Sequence, residues 1–308
     1  MRVLITGGAG FIGSNLADSL LADGNEVVVI DDLSTGFKEN IAESASFHHG
    51  SITDLPLVRE ACVGVDAVVH LAAARAVSQS VEHPIETTET NVLGTMNVLV
   101  AARDAGAKRY VFASSSSVYG GADALPTSES EPTRPRSPYA VCKFAAEEYA
   151  RVFHDLYGLE TLSVRFFNVF GPRQRPDSQY AAVIPLFIEA LKRGEAPEVH
   201  GDGEQSRDFT YIDNVVAGLR CALDAPSEVA IGTAYNLAAG GRYSLLDLLD
   251  ELEELLDSAP GRSHVETRAG DIKHSQADVS AAIRDLSFEP SISFEEGLRR
   301  TVSWFAGR

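Results

Sequence analysis

Val3-Leu4-Ile5-Thr6-Gly7-Gly8-Ala9-Gly10-Phe11-Ile12-Gly13 decides the fold. A short apolar strand over Arg2–Ile5 runs into Gly7, Gly10 and Gly13, and a helix pattern follows over Phe11–Ala22. Glycine lets the chain turn tightly and lets the backbone approach a pyrophosphate. The helix start then offers amide donors and the positive end of its dipole. The strand–turn–helix context separates this pattern from a chance run of glycine. The next strand, Glu26–Ile30, is a β-branched run of the kind buried in parallel sheets. Asp31 ends it, 18 residues after Gly13. An acid there accepts hydrogen bonds from an adenosine ribose and repels a 2′-phosphate, and no arginine stands beside it. The expected cofactor is therefore NAD rather than NADP. Gly7, Gly10, Phe11, Ile12, Gly13 and Asp31 would hold it, with Asp32, Ser34 and Gly36 in the following loop.

Outward from this stretch, strand and helix patterns alternate. Strands are expected at Ser46–His49, Ala67–Leu71, Arg109–Ala113 and Thr161–Phe166. Helices are expected at Asp54–Ala61, Ile85–Ala105 and Tyr139–Tyr157. Such alternation specifies an α/β fold with a doubly wound parallel Rossmann sheet. After Gly171 the texture changes to a polar, proline-bearing loop over Pro172–Tyr180, then shorter elements. Helices are expected at Ala182–Lys192, Tyr211–Leu223, Leu245–Leu256 and Phe294–Phe305, with short strands at Pro197–His200 and Ala234–Leu237. The division expected is a cofactor domain over 1–170 and a smaller, interleaved α/β substrate domain over 171–308. Elements near 208–238 would return to the sheet.

Composition narrows the function. The chain has 308 residues, 44% of them apolar, and a formal net charge of −18. That charge argues against a nucleic-acid surface, and fits either ordinary solubility or a salt-rich cytoplasm. No apolar run is long enough to span a membrane. The chain enters a strand at Arg2 without the regions of a signal peptide, so a cytoplasmic location is expected. Cys62, Cys142 and Cys221 are too scattered for a disulfide frame or a zinc site, and the histidines show no ligand spacing. No metal is expected.

Ser115 is followed 24 residues later by Tyr139-Ala140-Val141-Cys142-Lys143. Tyrosine is a poor base at neutral pH, since its free pKa is about 10. Tyr139 and Lys143 are four apart on a helix and share a face. A nearby ammonium and a positive nicotinamide ring both favour the phenolate. Ser115, after a strand end, can hold a substrate hydroxyl and pass its proton to Tyr139. Ser115, Tyr139 and Lys143 are the expected catalytic residues for hydride chemistry on an alcohol.

The glycine spacing, Gly-x-x-Gly-x-x-Gly, resembles the extended short-chain dehydrogenase/reductases. The run Ser114-Ser115-Ser116-Ser117-Val118-Tyr119-Gly120 resembles their nucleotide-sugar 4-epimerases. The resemblance covers essentially the whole chain. It implies that Leu71, Ala72, Ala73, Thr90 and Phe167 line the cofactor, that Arg75 brings a cation near the pyrophosphate, and that Ser51 and Ile52 meet the adenine edge. Ser51 stands where the family usually has aspartate. For a UDP-sugar it implies Asn168, Arg207 and Arg268 at the phosphates, Asp271 at ribose hydroxyls and His200 beside uracil. Ala182, Val183 and Ser275 would lie along the sugar. Ser275 and Ala182 are smaller than the tyrosine and asparagine often found there in glucose-restricted epimerases. Room for a 2-acetamido group follows.

The same resemblance implies oxidation at C4 and return of the hydride. Dehydratases of the family carry Asp-Glu where Ser116-Ser117 stand, and decarboxylases typically carry glutamate at Ser117. The expected activity is therefore interconversion of UDP-Glc with UDP-Gal, and of UDP-GlcNAc with UDP-GalNAc. A decarboxylase or reductase on the same scaffold, or an NAD-binding scaffold without turnover, remain the alternatives. A homodimer is also implied, through Ile85–Ala105 and Tyr139–Tyr157, with Val92, Met96, Leu99 and Val100 as candidates for the shared face.

Overall fold

Alternation of apolar side chains across each strand builds two cores on one sheet. Val3, Ile5, Val27 and Val29 face one side and pack with Leu16, Leu20, Val215 and Leu219; Leu4, Val28 and Ile30 face the other and pack with Val58, Val98, Leu99, Ala146 and Ala150. Successive residues of a strand point to opposite faces, so a strand apolar at every position must be covered twice. The structure is a computed structural model and describes residues 1–176, 182–266 and 272–307.

Among the described residues, seven strands form the central sheet, in the order Ile231–Leu237, Glu160–Phe166, Arg109–Ser115, Ala67–His70, Arg2–Thr6, Glu26–Asp31, Ser46–His49. Every neighbouring pair is parallel. Helices Phe11–Ala22 and Ile212–Asp224 cover one face; Leu55–Ala61, Thr95–Asp104 and Pro138–Tyr157 cover the other. This is the doubly wound fold. The strand Ile231–Leu237 comes from beyond residue 171 and closes one edge beside Glu160–Phe166.

The rest of the second half forms short pairings. Asn168–Phe170 pairs with Phe209–Tyr211, Ser206–Arg207 with Tyr243–Ser244, and Glu198–His200 with Ser263–Val265. Helices Val183–Lys192, Leu245–Leu256 and Phe294–Ala306 pack around an aromatic knot of Phe170, Phe209, Tyr243 and Phe294. These residues join the same core as one face of the sheet, so the two parts share their interior.

Several details differ from the sequence expectation. Ile85–Ala105 is not one regular helix: Pro84–Thr88 and Thr95–Asp104 flank a π-helical segment, Glu89–Gly94. An inserted residue in such a turn commonly marks a site, and here Asn91 lies inside it. A further helix, Val77–Glu82, precedes it. Asp54 sits outside the helix it starts, accepting the Leu57 amide as a cap. Short elements such as Asn168–Phe170, Phe209–Tyr211 and Ser280–Leu286 are too brief for periodicity to reveal. Among the described residues, no helix is long and apolar enough to cross a membrane.

Candidate active site

Gly7 turns at φ +72°, and a Cβ there would lie 2.9 Å from the Ala72 amide nitrogen. A Cβ on Gly13 would collide with the Gly7 carbonyl. Glycine is needed here for turn geometry and close packing of loop and helix. Helix Phe11–Ala22 begins at Gly10 with no side-chain cap and no acid in its first turn. Its first amides suit an anion, and an uncapped N-terminus facing a glycine turn fits the pyrophosphate of NAD.

Asp31 supports the other half of that fit. Its Oδ2 accepts the Ala9 amide at 2.9 Å and its Oδ1 the Leu33 amide at 2.8 Å. Burial raises the carboxyl above its usual range, against the pull of these two amides. Each oxygen keeps a lone pair for a ribose hydroxyl. The Ala9 carbonyl in turn accepts from Phe37 N and Asn40 Nδ2, which ties the loop of Asp32, Ser34 and Gly36 to the glycine turn. Asp32 also caps Ser34 through its amide and hydroxyl. Ser51 is engaged locally with Thr53, and Ile52 is buried beneath Gly94.

Loop Leu71–Arg75 faces the glycine turn. Thr6 Oγ1 accepts the amides of Leu71 and Ala72, each at 3.1 Å, and Asn91 grips the amide and carbonyl of Ala74. Thr90, half-buried, belongs to the same π-helical segment.

The strand Arg109–Ser115 delivers Ser115, and helix Pro138–Tyr157, capped by Ser137, delivers Tyr139 and Lys143 one turn apart. Ser115 Oγ accepts the Ser117 amide at 3.1 Å, which leaves its proton free to point elsewhere. Burial pushes the Tyr139 phenol up to about 12, while a hydrogen bond from Ser115 and the Arg75 charge pull it down. Burial lowers the Lys143 ammonium to about 8. Lys143 Nζ donates to the Ala113 carbonyl at 2.7 Å and lies 5.7 Å from the Tyr139 ring centre. The three candidates therefore come together. Ser117 Oγ is buried and has no hydrogen-bond partner among the described residues.

The second half contributes a converging set. Asn168 lies opposite Phe209, and its amide donates to the Asp208 carbonyl. Arg207 Nη1 donates to the carbonyls of Ser206 and Lys273, and the Ser275 amide donates to Ser206 O. Asn168, Arg207 and Ser275 thus share one junction. Beneath it the buried Asp208 carboxylate accepts the amides of Ala239, Gly240 and Ala277. Phe167 is buried in a small cluster with Val118 and Tyr119. His200 lies on the Glu198–His200 strand with Nδ1 donating to Glu266 O. Ala182 and Val183 begin the helix that leads into this half. Arg268 and Asp271 lie outside the described residues.

Several residues of the site were not anticipated. His70 and Thr95 help hold the Leu71–Arg75 loop, alongside Asn91 next to the expected Thr90, and Glu147 on the helix of Tyr139 and Lys143 forms a buried pair with Arg165. A signal for Glu147 existed: it stands four and eight residues after Lys143 and Tyr139, on the same buried helical face.

Residues 3–238 match the NAD dependent epimerase/dehydratase family. The chain is 36% identical to a putative UDP-glucose 4-epimerase of Methanocaldococcus jannaschii over 98% of this chain and 97% of that one. It superposes on UDP-glucose 4-epimerase of Thermotoga maritima, solved with UDP-glucose, with a TM-score of 0.95 and 35% identity, covering 100% and 99% of the two chains. A UDP-N-acetylglucosamine 4-epimerase of Methanobrevibacter ruminantium, in complex with UDP-N-acetylmuramic acid, gives 0.94 and 38%, covering 99% and 98%. Similar identities extend to a UDP-glucuronic acid decarboxylase of Arabidopsis thaliana and a dTDP-glucose 4,6-dehydratase of Streptomyces venezuelae. With its glycine turn, its Asp31 and its paired Tyr139 and Lys143, the chain belongs to the NAD-dependent epimerase/dehydratase family of extended short-chain dehydrogenase/reductases.

Proposed function

We propose that the chain is a UDP-hexose 4-epimerase that interconverts UDP-Glc with UDP-Gal and UDP-GlcNAc with UDP-GalNAc. One observation carries the choice within the family: the turn Ser116–Tyr119, directly after Ser115, bears hydroxyls and no carboxylate. Elimination of water from the sugar needs an acid and a base beyond the tyrosine. Epimerisation does not, because the proton and the hydride both return to the same sugar.

Ser115 turns to the sugar's 4-hydroxyl the proton that points at Tyr139 when no sugar is bound, its Ser117 contact leaving that proton unused. Tyr139 takes the hydroxyl proton and later gives it back. NAD, when bound, would supply the acceptor and donor for the C4 hydride and a positive ring that favours the phenolate. Lys143, anchored on Ala113 O, keeps a cation beneath the phenol, and Arg75 adds a second. Gly7, Gly10, Phe11, Ile12, Gly13, Asp31 and Leu71–Arg75 would hold the cofactor. Asn168, Arg207, Arg268 and Asp271 would hold the diphosphate and ribose, and Ala182, Val183 and Ser275 would bound the sugar. Confinement by the second half keeps the 4-keto sugar from escaping while it turns over.

We infer a homodimer from an apolar strip on which Ile85 and Leu93 are exposed and Val92 and Met96 half-buried, beside Tyr149. Leu99 takes no part in it, being buried against the sheet, and Val100 packs partly buried against the same core. The deciding experiment is product analysis by NMR with UDP-Glc and UDP-GlcNAc side by side, without added NAD. C4 epimers are expected from both. Release of carbon dioxide from a UDP-uronate, or a 4-keto-6-deoxy sugar as product, overturns the reading.

A further inference from the structure

We propose that His70, as a neutral imidazole with its proton on Nε2, is the positioning residue that sets loop Leu71–Arg75 against NAD, acting through Thr6 and Thr95. The inference rests on the reading that this loop lines the cofactor.

His70 ends the strand Ala67–His70 and is fully buried, packed near the rings of Tyr110 and Phe112. Nδ1 lies 2.6 Å from Thr6 Oγ1 and Nε2 lies 2.9 Å from Thr95 Oγ1. The hydroxyls decide the tautomer. Thr95 Oγ1 donates its one proton to the Asn91 carbonyl at 2.7 Å, and a carbonyl can only accept. Thr95 must then accept from His70, which places a proton on Nε2. Thr6 Oγ1 accepts the Ala72 amide and shares the Leu71 amide with the Thr6 carbonyl, which occupies its accepting side. Its proton must go to His70, so Nδ1 is bare. A second proton on the ring would face the Thr6 proton and break the chain.

The chain of bonds spans three segments. Thr6 belongs to the strand that leads into the glycine turn, and it holds the near end of the loop. Asn91 holds the far end by both backbone groups of Ala74. Thr95, on the same helix, links Asn91 O back to His70. The loop is thereby fixed at both ends to one buried ring, with Arg75 just beyond. Lys143 is the charged neighbour that bears on His70, and its cation disfavours a protonated imidazole, as burial does.

Two measurements test this. The first uses no variant: long-range 1H–15N NMR of 15N-histidine-labelled protein should show His70 as the Nε2–H tautomer, unchanged from pH 5.5 to 8. An Nδ1–H tautomer, or titration in that range, overturns the proposal. The second measures NAD retained per chain after exhaustive dialysis, and its Kd by calorimetry. Thr95→Val keeps the side-chain shape but leaves Nε2–H without an acceptor, and should weaken NAD by about tenfold. Thr95→Ser restores the acceptor and should restore NAD affinity. KM for the sugar nucleotide at saturating NAD should stay near wild type in both. Arg75→Ala serves as the control for the loop itself. Weakening by Arg75→Ala with none by Thr95→Val overturns the role of His70 alone. No effect from either overturns the loop's assignment to the cofactor and the proposal with it.

Discussion

Glu147 and Arg165 meet as a buried pair: Oε2 lies 2.7 Å from Nη2 and Oε1 lies 2.9 Å from Nε. Glu147 Oε1 also accepts the Ser114 hydroxyl, and Arg165 Nη1 donates to the Tyr119 hydroxyl, which donates on to Asn236 Oδ1. Ser114 adjoins Ser115, Glu147 shares the helix of Tyr139 and Lys143, and Arg165 stands three residues before Asn168. One ion pair therefore fixes the candidate catalytic and substrate-contacting segments relative to one another.

Removing one partner of such a pair leaves the other charge buried and unpaired, at a cost of about 3–5 kcal/mol. Glu147→Ala should show that loss in urea unfolding. Glu147→Gln, which keeps an acceptor, should lose less. Equal stability of Glu147→Ala and wild type would show that the pair does not bear the load assigned to it.

Tyr139→Phe removes the phenol and leaves the glycine turn and Asp31 untouched. Turnover should fall by at least about a hundredfold, the usual scale for a lost general acid–base. NAD content and UDP-sugar affinity should persist. Near-normal turnover would place the base elsewhere.

The glycine turn, Asp31 and the Tyr139–Lys143 spacing were legible because each is local. Its chemistry follows from a few residues on one turn, strand end or helix face. The His70 network was not legible, because Thr6, His70, Asn91 and Thr95 meet only through the sheet and the π-helical segment. Periodicity marked Glu26–Ile30 because four apolar residues in a row need two covered faces. It could not mark Ser206–Arg207, a two-residue strand. The pairing of that strand with Tyr243–Ser244 and its contact with Ser275 are tertiary facts.

Asp208 gives a pH dependence with a defined sign. Burial raises its carboxyl from 3.8 to about 6, overcoming the three amides it accepts. Between pH 4 and 6 the folded chain holds this proton more tightly than the unfolded chain. Its contribution to stability is therefore present in acid and lost as pH rises through about 6, by about 3 kcal/mol in total. Asp208→Asn carries no such charge. The stability difference, variant minus wild type, should rise by about that amount from pH 4 to pH 7, whatever its starting value. A flat difference in urea unfolding across that range would rule out the raised carboxyl.

The exposed strip on Pro84–Asp104 predicts the assembly. Leu93 is 52% exposed and Ile85 is 71% exposed, on one apolar face beside Tyr149. Leu93→Asp would bury a charge in a self-paired interface, which is costly unless the charge is matched. Wild type should be a dimer by light scattering at micromolar concentration, and Leu93→Asp a monomer. A monomeric wild type rejects the interface.

Ser275 tests the substrate. Its amide is fixed on Ser206 O, next to Arg207, so its side chain occupies a set position at the proposed sugar end. A hydroxymethyl there leaves room for an acetamido group, and wild type should epimerise UDP-GlcNAc at least as well as UDP-Glc. Ser275→Tyr fills that room. Overpacking in a close-packed site costs about 1–3 kcal/mol, which corresponds to roughly 5- to 150-fold in kcat/KM. That loss should fall on the N-acetylated substrate, while UDP-Glc/UDP-Gal turnover stays near wild type. If both activities fall together, or if wild type ignores UDP-GlcNAc, Ser275 does not gate the pocket and the substrate reduces to UDP-glucose.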